Sequence, residues 1–261
     1  MTAPGWLGQV SITLAECGST SDVAASWARG ELEGQGRAPH GAVVIADAQT
    51  RGRGRLGRSW HSPPGESLYF SAVLRPTLEP RRIPPLTLTA AVALAEAVLE
   101  TGVTPELKWP NDVLVGGRKL AGILTELVCA GQRIDFVVLG IGVNLNNERF
   151  PPELAASATS LGLVLGRRIE REAFVRALCE RLEVWYERFT SAGPAPVIAA
   201  WKEHARMLGG RVTVTLGGPK GPGQKAETIT GVAEDLDADG MLVVRAADGH
   251  VMRVVAGEVA L

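Results

Sequence analysis

Hydrophobic positions recur along the chain in two rhythms, and these place most of its elements. Phe174, Leu178, Leu182, Trp185 and Phe189 follow one another at steps of four, four, three and four, which is one face of a helix. The plain reading of that stripe is a face turned to the core. Leu86 to Leu99 is apolar almost throughout and predicts a helix buried on most sides, with Pro84 and Pro85 suited to its first turn. Short apolar or β-branched runs predict strands at Val10–Leu14, Ala42–Asp47, Leu68–Leu74, Glu106–Trp109, Val113–Val115, Leu120–Val128 and Arg133–Leu139. Ser19-Thr20-Ser21-Asp22 offers capping side chains just before Val23, Ala24 and Trp27, so a helix is expected to start there. Gly34 to Gly41 reads as a loop, Pro110-Asn111-Asp112 as a turn and Gly116-Gly117 as a hairpin signal. A further short helix is expected through Val197 to Met207.

The rhythm changes at Gly209-Gly210. Arg211–Leu216, Glu227–Ala233, Met241–Ala246 and His250–Val255 read as four short strands, with turns at Gly217 to Gly223, Asp237–Gly240 and Asp248-Gly249. Closely spaced short strands suggest a small β-barrel. The predicted organisation is a larger domain over residues 1–208 and a small one over 209–261, with no internal repeat.

Composition narrows the function classes. At 261 residues, with 46% hydrophobic and 21% charged residues, the chain is an ordinary globular sequence. A formal net charge of −1 argues against whole-protein attraction to nucleic acid or membrane, so any basic cluster is a local feature. Cys17, Cys129 and Cys179 are scattered and odd in number, and are expected as reduced thiols in or near the core. His40, His61, His204 and His250 show no metal-ligand spacing. No secretory signal is visible, and no apolar stretch is expected to approach the ~18 residues of a spanning helix, so the cytoplasm is the expected compartment.

The candidate chemistry begins at Gly52-Arg53-Gly54-Arg55-Leu56-Gly57-Arg58-Ser59-Trp60. Glycine lets a backbone turn close to a ligand. Arginine presents a fixed fork of donors to phosphate and keeps its charge. A flat aromatic can stack on a base. The glycines fit G-x-G-x-x-G, but a dinucleotide fingerprint needs a helix directly afterwards, and Pro63-Pro64-Gly65 forbids one. Kinase and P-loop patterns are missing. A disordered Arg-Gly segment for RNA is the remaining plain alternative.

Two further segments join the first. Lys108-Trp109-Pro110-Asn111-Asp112 is followed by Arg118-Lys119-Leu120-Ala121-Gly122-Ile123-Leu124, where a lysine enters an apolar strand close to a glycine. Taken alone, these are a turn and a solvated hairpin lysine. Gly140-Ile141-Gly142-Val143-Asn144 then ends a buried strand with small residues that admit a ligand to the backbone.

In this order, with Gly18-Ser19-Thr20 and Gln49, these segments resemble the biotin–protein ligases. The resemblance spans roughly residues 10 to 261, and the joint pattern is far more specific than any one motif. Two places of the family's Asp-Ser-Thr-Asn motif depart here, to Gly18 and Ser21. The resemblance implies an α+β fold: a mixed β-sheet catalytic domain packed with helices, of the class II synthetase-like biotin–lipoate ligase kind, plus a C-terminal SH3-like β-barrel. It implies biotin and ATP as substrates, Mg²⁺ arriving with ATP, and a biotin carboxyl carrier protein as acceptor. With few residues before Ser19, the DNA-binding domain of the family's long form is not expected. Neither DNA nor membrane is expected as a partner, and a monomer or weak homodimer is.

The resemblance also implies roles. Ser19, Thr20 and Gln49 would hydrogen-bond the ureido ring, and Gly52 and Gly122 would let the backbone approach biotin. Arg53 and Arg58 would grip phosphates, with Arg53 also near biotin. Arg55 would sit by the carboxylate and adenylate. Lys119 would bridge carboxylate and α-phosphate. Asn111 and Asn144 would contact ATP or its metal, and Trp60 would cover the adenine. Asp112 would orient the acceptor lysine or help remove its proton. No residue set is assigned to a resident metal. A lipoate or octanoate transferase is the near rival, and a non-enzymatic nucleic-acid module the distant one.

Overall fold

The computed structural model describes residues 5–217 and 227–261. The first part of the chain builds a seven-stranded mixed sheet. β1 (Ser11–Cys17) is followed by α1 (Thr20–Arg29) and β2 (Ala42–Gln49), and these two strands run parallel. β3 (Leu68–Leu74), α2 (Leu86–Leu99), β4 (Glu106–Lys108), β5 (Asp112–Val115), β6 (Arg118–Ala130) and β7 (Arg133–Val143) follow. The sheet order is β1-β2-β3-β7-β6-β5-β4, antiparallel from β2 onward.

Alternation along the strands explains why both faces are covered. Val44, Val73 and Val138 pack against Ala24, Trp27 and Ala28 of α1. Val43, Phe70, Ala72, Leu74 and Leu139 turn to the other side, into the core that holds α2. β3 is therefore buried at every position, as a central strand covered on both faces must be.

Beyond the sheet, α3 (Pro152–Ala155) and α4 (Leu161–Leu165) are single turns that the hydrophobic pattern did not predict. Ser160 caps α4, its Oγ accepting from the Leu163 N–H at 3.1 Å. α5 (Arg171–Ala192) lays its predicted stripe against α2, with Phe174, Leu178, Leu182, Trp185 and Phe189 all buried. α6 (Ala195–Glu203) stops four residues short of the expected Met207. The expectation that no segment reaches membrane-spanning length is corrected here. Pro80–Leu99 forms 20 residues of suitable apolarity, but 72% of its most apolar stretch lies inside the protein, as in a core helix.

β8 (Arg211–Leu216), β9 (Glu227–Leu236), β10 (Leu242–Ala246), β11 (Val251–Val254) and β12 (Glu258–Ala260) form a separate antiparallel sheet in the order β11-β10-β9-β8-β12. It has one strand more than the pattern predicted, because three residues are too few to show a period. Among the described residues β11 and β12 do not pair, so the expected barrel is an unclosed five-stranded sheet. The turn expected over Gly217 to Gly223 lies outside the described residues after Gly217. This sheet seats on the larger one through its 237–241 turn. Trp109 Nε1 donates to the Gly240 carbonyl at 3.1 Å. A Cβ on Gly240, whose φ is +76°, would come 2.7 Å from Leu88 Cδ1, so only glycine fits the turn there. The cysteines depart in part from expectation. Cys17 and Cys179 are half-buried, whereas Cys129 is exposed near the end of β6.

Candidate functional site

A cleft opens where β3 and β6 begin and β7 ends, beneath the segment 53–60 and beside β12. Its two ends are built differently.

One end is neutral and interlocked. Ser19, Thr20 and Ser21 start α1 and are buried. Thr20 directs both its N–H, at 2.9 Å, and its hydroxyl, at 3.2 Å, to Gln49 Oε1. Ser71 on β3 donates to Thr20 Oγ1 at 2.8 Å and lies 3.2 Å from Ser21 Oγ. Gln49 Nε2 donates to Ser62 Oγ at 3.0 Å, and Ser62 donates to the Trp60 carbonyl at 3.0 Å. A single chain of hydrogen bonds thus runs from the sheet floor into the arginine loop. Of the two departures, Gly18 lies against the Arg51 guanidinium and Ser21 joins the hydroxyl chain.

The floor of the cleft is bare by sequence. Gly122 and Gly142 face each other across β6 and β7. A Cβ on Gly142 would approach the Trp60 indole to 2.6 Å and one on Gly122 to 3.1 Å, so the ring lies flat on this glycine pair. Its Nε1 is buried without a partner.

The other end is charged. The loop is a hairpin in its own right, with Arg53 bridged to Ser59 and the Gly54 N–H donating to the Arg58 carbonyl at 2.7 Å. Leu56 adopts φ +57°, a left-handed conformation that a residue with a Cβ occupies at a cost of roughly 1–2 kcal/mol. Arg53 pairs with Glu126 at 2.7 Å and Asp22 at 3.0 Å. Arg55 donates to Asn111 Oδ1 at 3.2 Å and to the Gly257 carbonyl at 3.3 Å, and burial lowers its pKa against the pull of Asp112 and Glu258. Arg58 pairs with Glu258 on β12, and that hydrogen bond raises its pKa.

Lys119 stands between the two ends. Its Nζ lies 2.7 Å from Asp112 Oδ1 and 5.4 Å from the Trp60 ring centroid, in cation–π range. A β-bulge aims it there. Leu114 pairs with Lys119 but Val113 pairs with Ala121, leaving Leu120 as an extra residue. In a regular strand residues three apart point to opposite faces. The inserted residue reverses that phase, so the Lys119 side chain runs along Gly122, where a Cβ would meet Cε at 3.4 Å.

The structure brings Ser19, Thr20, Gln49, Arg53, Arg55, Arg58, Trp60, Asn111, Asp112, Lys119 and Gly122 into one lining. It leaves two expected residues out. Gly52 is buried behind the loop, where a Cβ would lie 2.6 Å from the Trp60 carbonyl oxygen, so it serves loop closure. Asn144 is 5% exposed, and its amide is spent on the Thr159 carbonyl at 3.0 Å. Sequence reasoning missed Tyr69, Gly257 and Glu258 and gave Lys108 no role, although all four line the cleft. Lys108 stood inside a recognised motif. Glu258 carried no signal, lying 200 residues from Arg58. Among the described residues no group of three or more His, Cys, Asp or Glu is placed to hold a metal ion.

The arrangement offers buried neutral donors and acceptors at one end, cations for phosphates at the other, and a lysine able to join two anions between them. Family models match the chain in two places: the biotin/lipoate A/B protein ligase family over residues 28–144 and the biotin protein ligase C-terminal domain over residues 207–261. A bifunctional ligase/repressor of Bacillus subtilis is 37% identical over 81% of this chain, which spans 64% of that relative's length. A biotin–[acetyl-CoA-carboxylase] ligase of Paracoccus denitrificans is 34% identical over 80% of this chain and 86% of its own. Among solved structures, a biotin protein ligase from Aquifex aeolicus in complex with biotin and ATP superposes with a TM-score of 0.79 at 29% identity, covering 97% of this chain and 98% of that one. The chain belongs to the biotin protein ligase family.

Proposed function

We propose that the protein attaches biotin to a lysine of a biotin carboxyl carrier domain, such as that of acetyl-CoA carboxylase, in two steps driven by ATP. The observation that carries this reading is Lys119, set between a buried neutral pocket and an arginine-lined cleft. First, a biotin carboxylate oxygen bonds to the α-phosphorus of ATP and pyrophosphate leaves. Second, the acceptor amine bonds to the biotinyl carbonyl carbon, AMP leaves and the nitrogen gives up its proton. The acceptor brings its own nucleophile, so the enzyme's task is positioning and charge stabilisation.

Thr20, Ser19 and Gln49 suit a ureido ring, which is neutral and both donates and accepts. Lys119 neutralises carboxylate and α-phosphate so that they can meet. Arg55 and Arg58 receive the phosphates, Arg58 leaving Glu258 to do so. Trp60 covers the reacting centre and the adenine, and Asp112 takes up the acceptor amine or its proton once Lys119 turns to the substrate anions. Mg²⁺ would ride on the ATP phosphates, keeping several of its waters, with Asn111 in the lining as a neutral oxygen donor.

The deciding experiment is exchange of labelled pyrophosphate into ATP with biotin, lipoate or octanoate as the acid. Exchange with biotin alone is expected. Exchange with lipoate or octanoate instead would move the protein to that neighbouring activity, and none with any acid from folded protein would overturn the proposal.

A further inference from the structure

The two peptide groups of Lys119 do not behave like those of an ordinary strand residue. Its N–H donates to the Ser157 carbonyl at 2.7 Å, and its carbonyl accepts from the Thr159 N–H at 2.9 Å. The segment 157–159 thus lies beside Lys119 as a strap, with a parallel bridge at Ala158. The strap has to be held in turn, because it belongs to the irregular run between α3 and α4. Asn144, at the end of β7, holds it. Its Nδ2 donates to the Thr159 carbonyl at 3.0 Å and reaches the Lys119 carbonyl at 3.5 Å. Its own N–H donates to the Leu120 carbonyl at 2.9 Å, and its carbonyl accepts from the Leu161 N–H at 3.1 Å. Asn144 therefore holds the bulge at Leu120 and the start of α4 through its backbone, and its buried side chain ties only the strap to the Lys119 carbonyl.

We infer that Asn144 is a positioning residue for Lys119. It fixes the bulged backbone of β6 so that Nζ is delivered to the place where carboxylate and α-phosphate meet. This deepens the proposed adenylation and rests on that reading. The physical argument is geometric. A bulge is a phase error in a strand, and the ladder that would normally correct it is broken at that residue. Without an outside clamp the strand can slip by one residue and turn Lys119 to the opposite face. The amide is suited to the task because one –NH₂ group reaches two carbonyls that a hydroxyl could not span.

The test is a double-mutant cycle on biotin-dependent pyrophosphate exchange, using Asn144→Ala and Lys119→Ala singly and together. Asn144→Ala is expected to lower the rate at saturating substrates by roughly 10- to 100-fold, as small misplacements of a catalytic group do. In the Lys119→Ala background it is expected to cost almost nothing more, because the residue through which it acts is gone. Equal losses in the two backgrounds would overturn the inference and leave Asn144 as a general structural residue or a direct ATP contact. Asn144→Leu, which nearly keeps the volume, is neutral and lacks the donors, serves if the alanine variant fails to fold. A crystal structure of the variant gives an answer independent of the reaction. Loss of the Lys119–Asp112 contact is expected, and an unmoved Lys119 would overturn the clamp. If the unaltered protein shows no biotin-dependent exchange, the proposed function falls while that structure still decides the role of Asn144.

Discussion

The two ends of the cleft solve the problem of holding a ligand in opposite ways. At the neutral end four side chains are already linked to one another before any ligand arrives. Ser71, Thr20, Gln49 and Ser62 pass hydrogen bonds in one direction, and Ser71 and Thr20 are almost fully buried. At the charged end two of the arginines are held by carboxylates still open to solvent in part, Arg53 by Asp22 and Glu126 and Arg58 by Glu258. Exposed pairs of this kind contribute ~0–1 kcal/mol and are screened by salt, whereas an unmade hydrogen bond in a buried site costs ~1–3 kcal/mol. One end is therefore a rigid template and the other a set of cations on temporary partners. Lys119 sits at the seam, and the largest effects are expected there.

Lys119→Ala sharpens the comparison most. Removal of a charge aimed at a developing anion costs ~2.7–4 kcal/mol of barrier, or ~10²–10³ in rate. Pyrophosphate exchange is expected to fall by that amount, with a smaller loss of biotin affinity from the missing carboxylate contact. A variant that keeps near-normal exchange would remove Lys119 from the seam altogether.

Ser71→Ala probes the template. It strips Thr20 and Ser21 of a buried partner, and a loss of ~1–3 kcal/mol in stability or in biotin binding follows. Melting temperature and biotin titration read the two apart. The loss should be the same in low and high salt, since no charge is involved, and a strongly salt-dependent loss would contradict the template reading.

How much of this was legible in the chain depended on whether a feature was local. The α5 stripe and the apolar run of β3 are contiguous, and their physics acts over a few residues, whereas the seating of Trp60 on Gly122 and Gly142 joins three separate segments and was not foreseen. Most of the lining was legible too, because its motifs are short and keep their order. What stayed hidden needed the third dimension. The bulge at Leu120 leaves no trace in composition, yet it decides where Lys119 points. Asn144 reads as a ligand contact because it ends a motif, and only the fold shows its amide turned to Thr159. β12 is too short to show a period, so Glu258 and its hold on Arg58 were invisible.

Arg58→Ala tests the temporary partners. Stability should change by less than ~1 kcal/mol, because an exposed ion pair is lost. The KM for ATP should rise, and the gap from the unaltered protein should narrow as salt increases, since screening already weakens the contact that the variant lacks. Biotin affinity should be unmoved. A large, salt-independent loss of stability would mean that the Arg58–Glu258 pair is a structural joint between the two sheets.

The smallest effect expected concerns motion and separates the two ends without any substitution. The amides of Gly54 and Trp60 are tied within the arginine hairpin, to the Arg58 and Gly52 carbonyls. That hairpin carries a strained Leu56 and is held at Arg53 and Arg58 by partly exposed ion pairs, so it should open locally at low free energy. The Thr20 amide donates to Gln49 inside the buried chain and should exchange much more slowly. Adding biotin and ATP replaces carboxylate partners by phosphates, so protection should rise at Gly54 and Trp60 and barely change at Thr20. Hydrogen exchange followed by mass spectrometry resolves the two segments. The reverse pattern, with protection gained at Thr20 and none in the hairpin, would make the neutral end the adaptable one and undo the contrast between template and temporary partners.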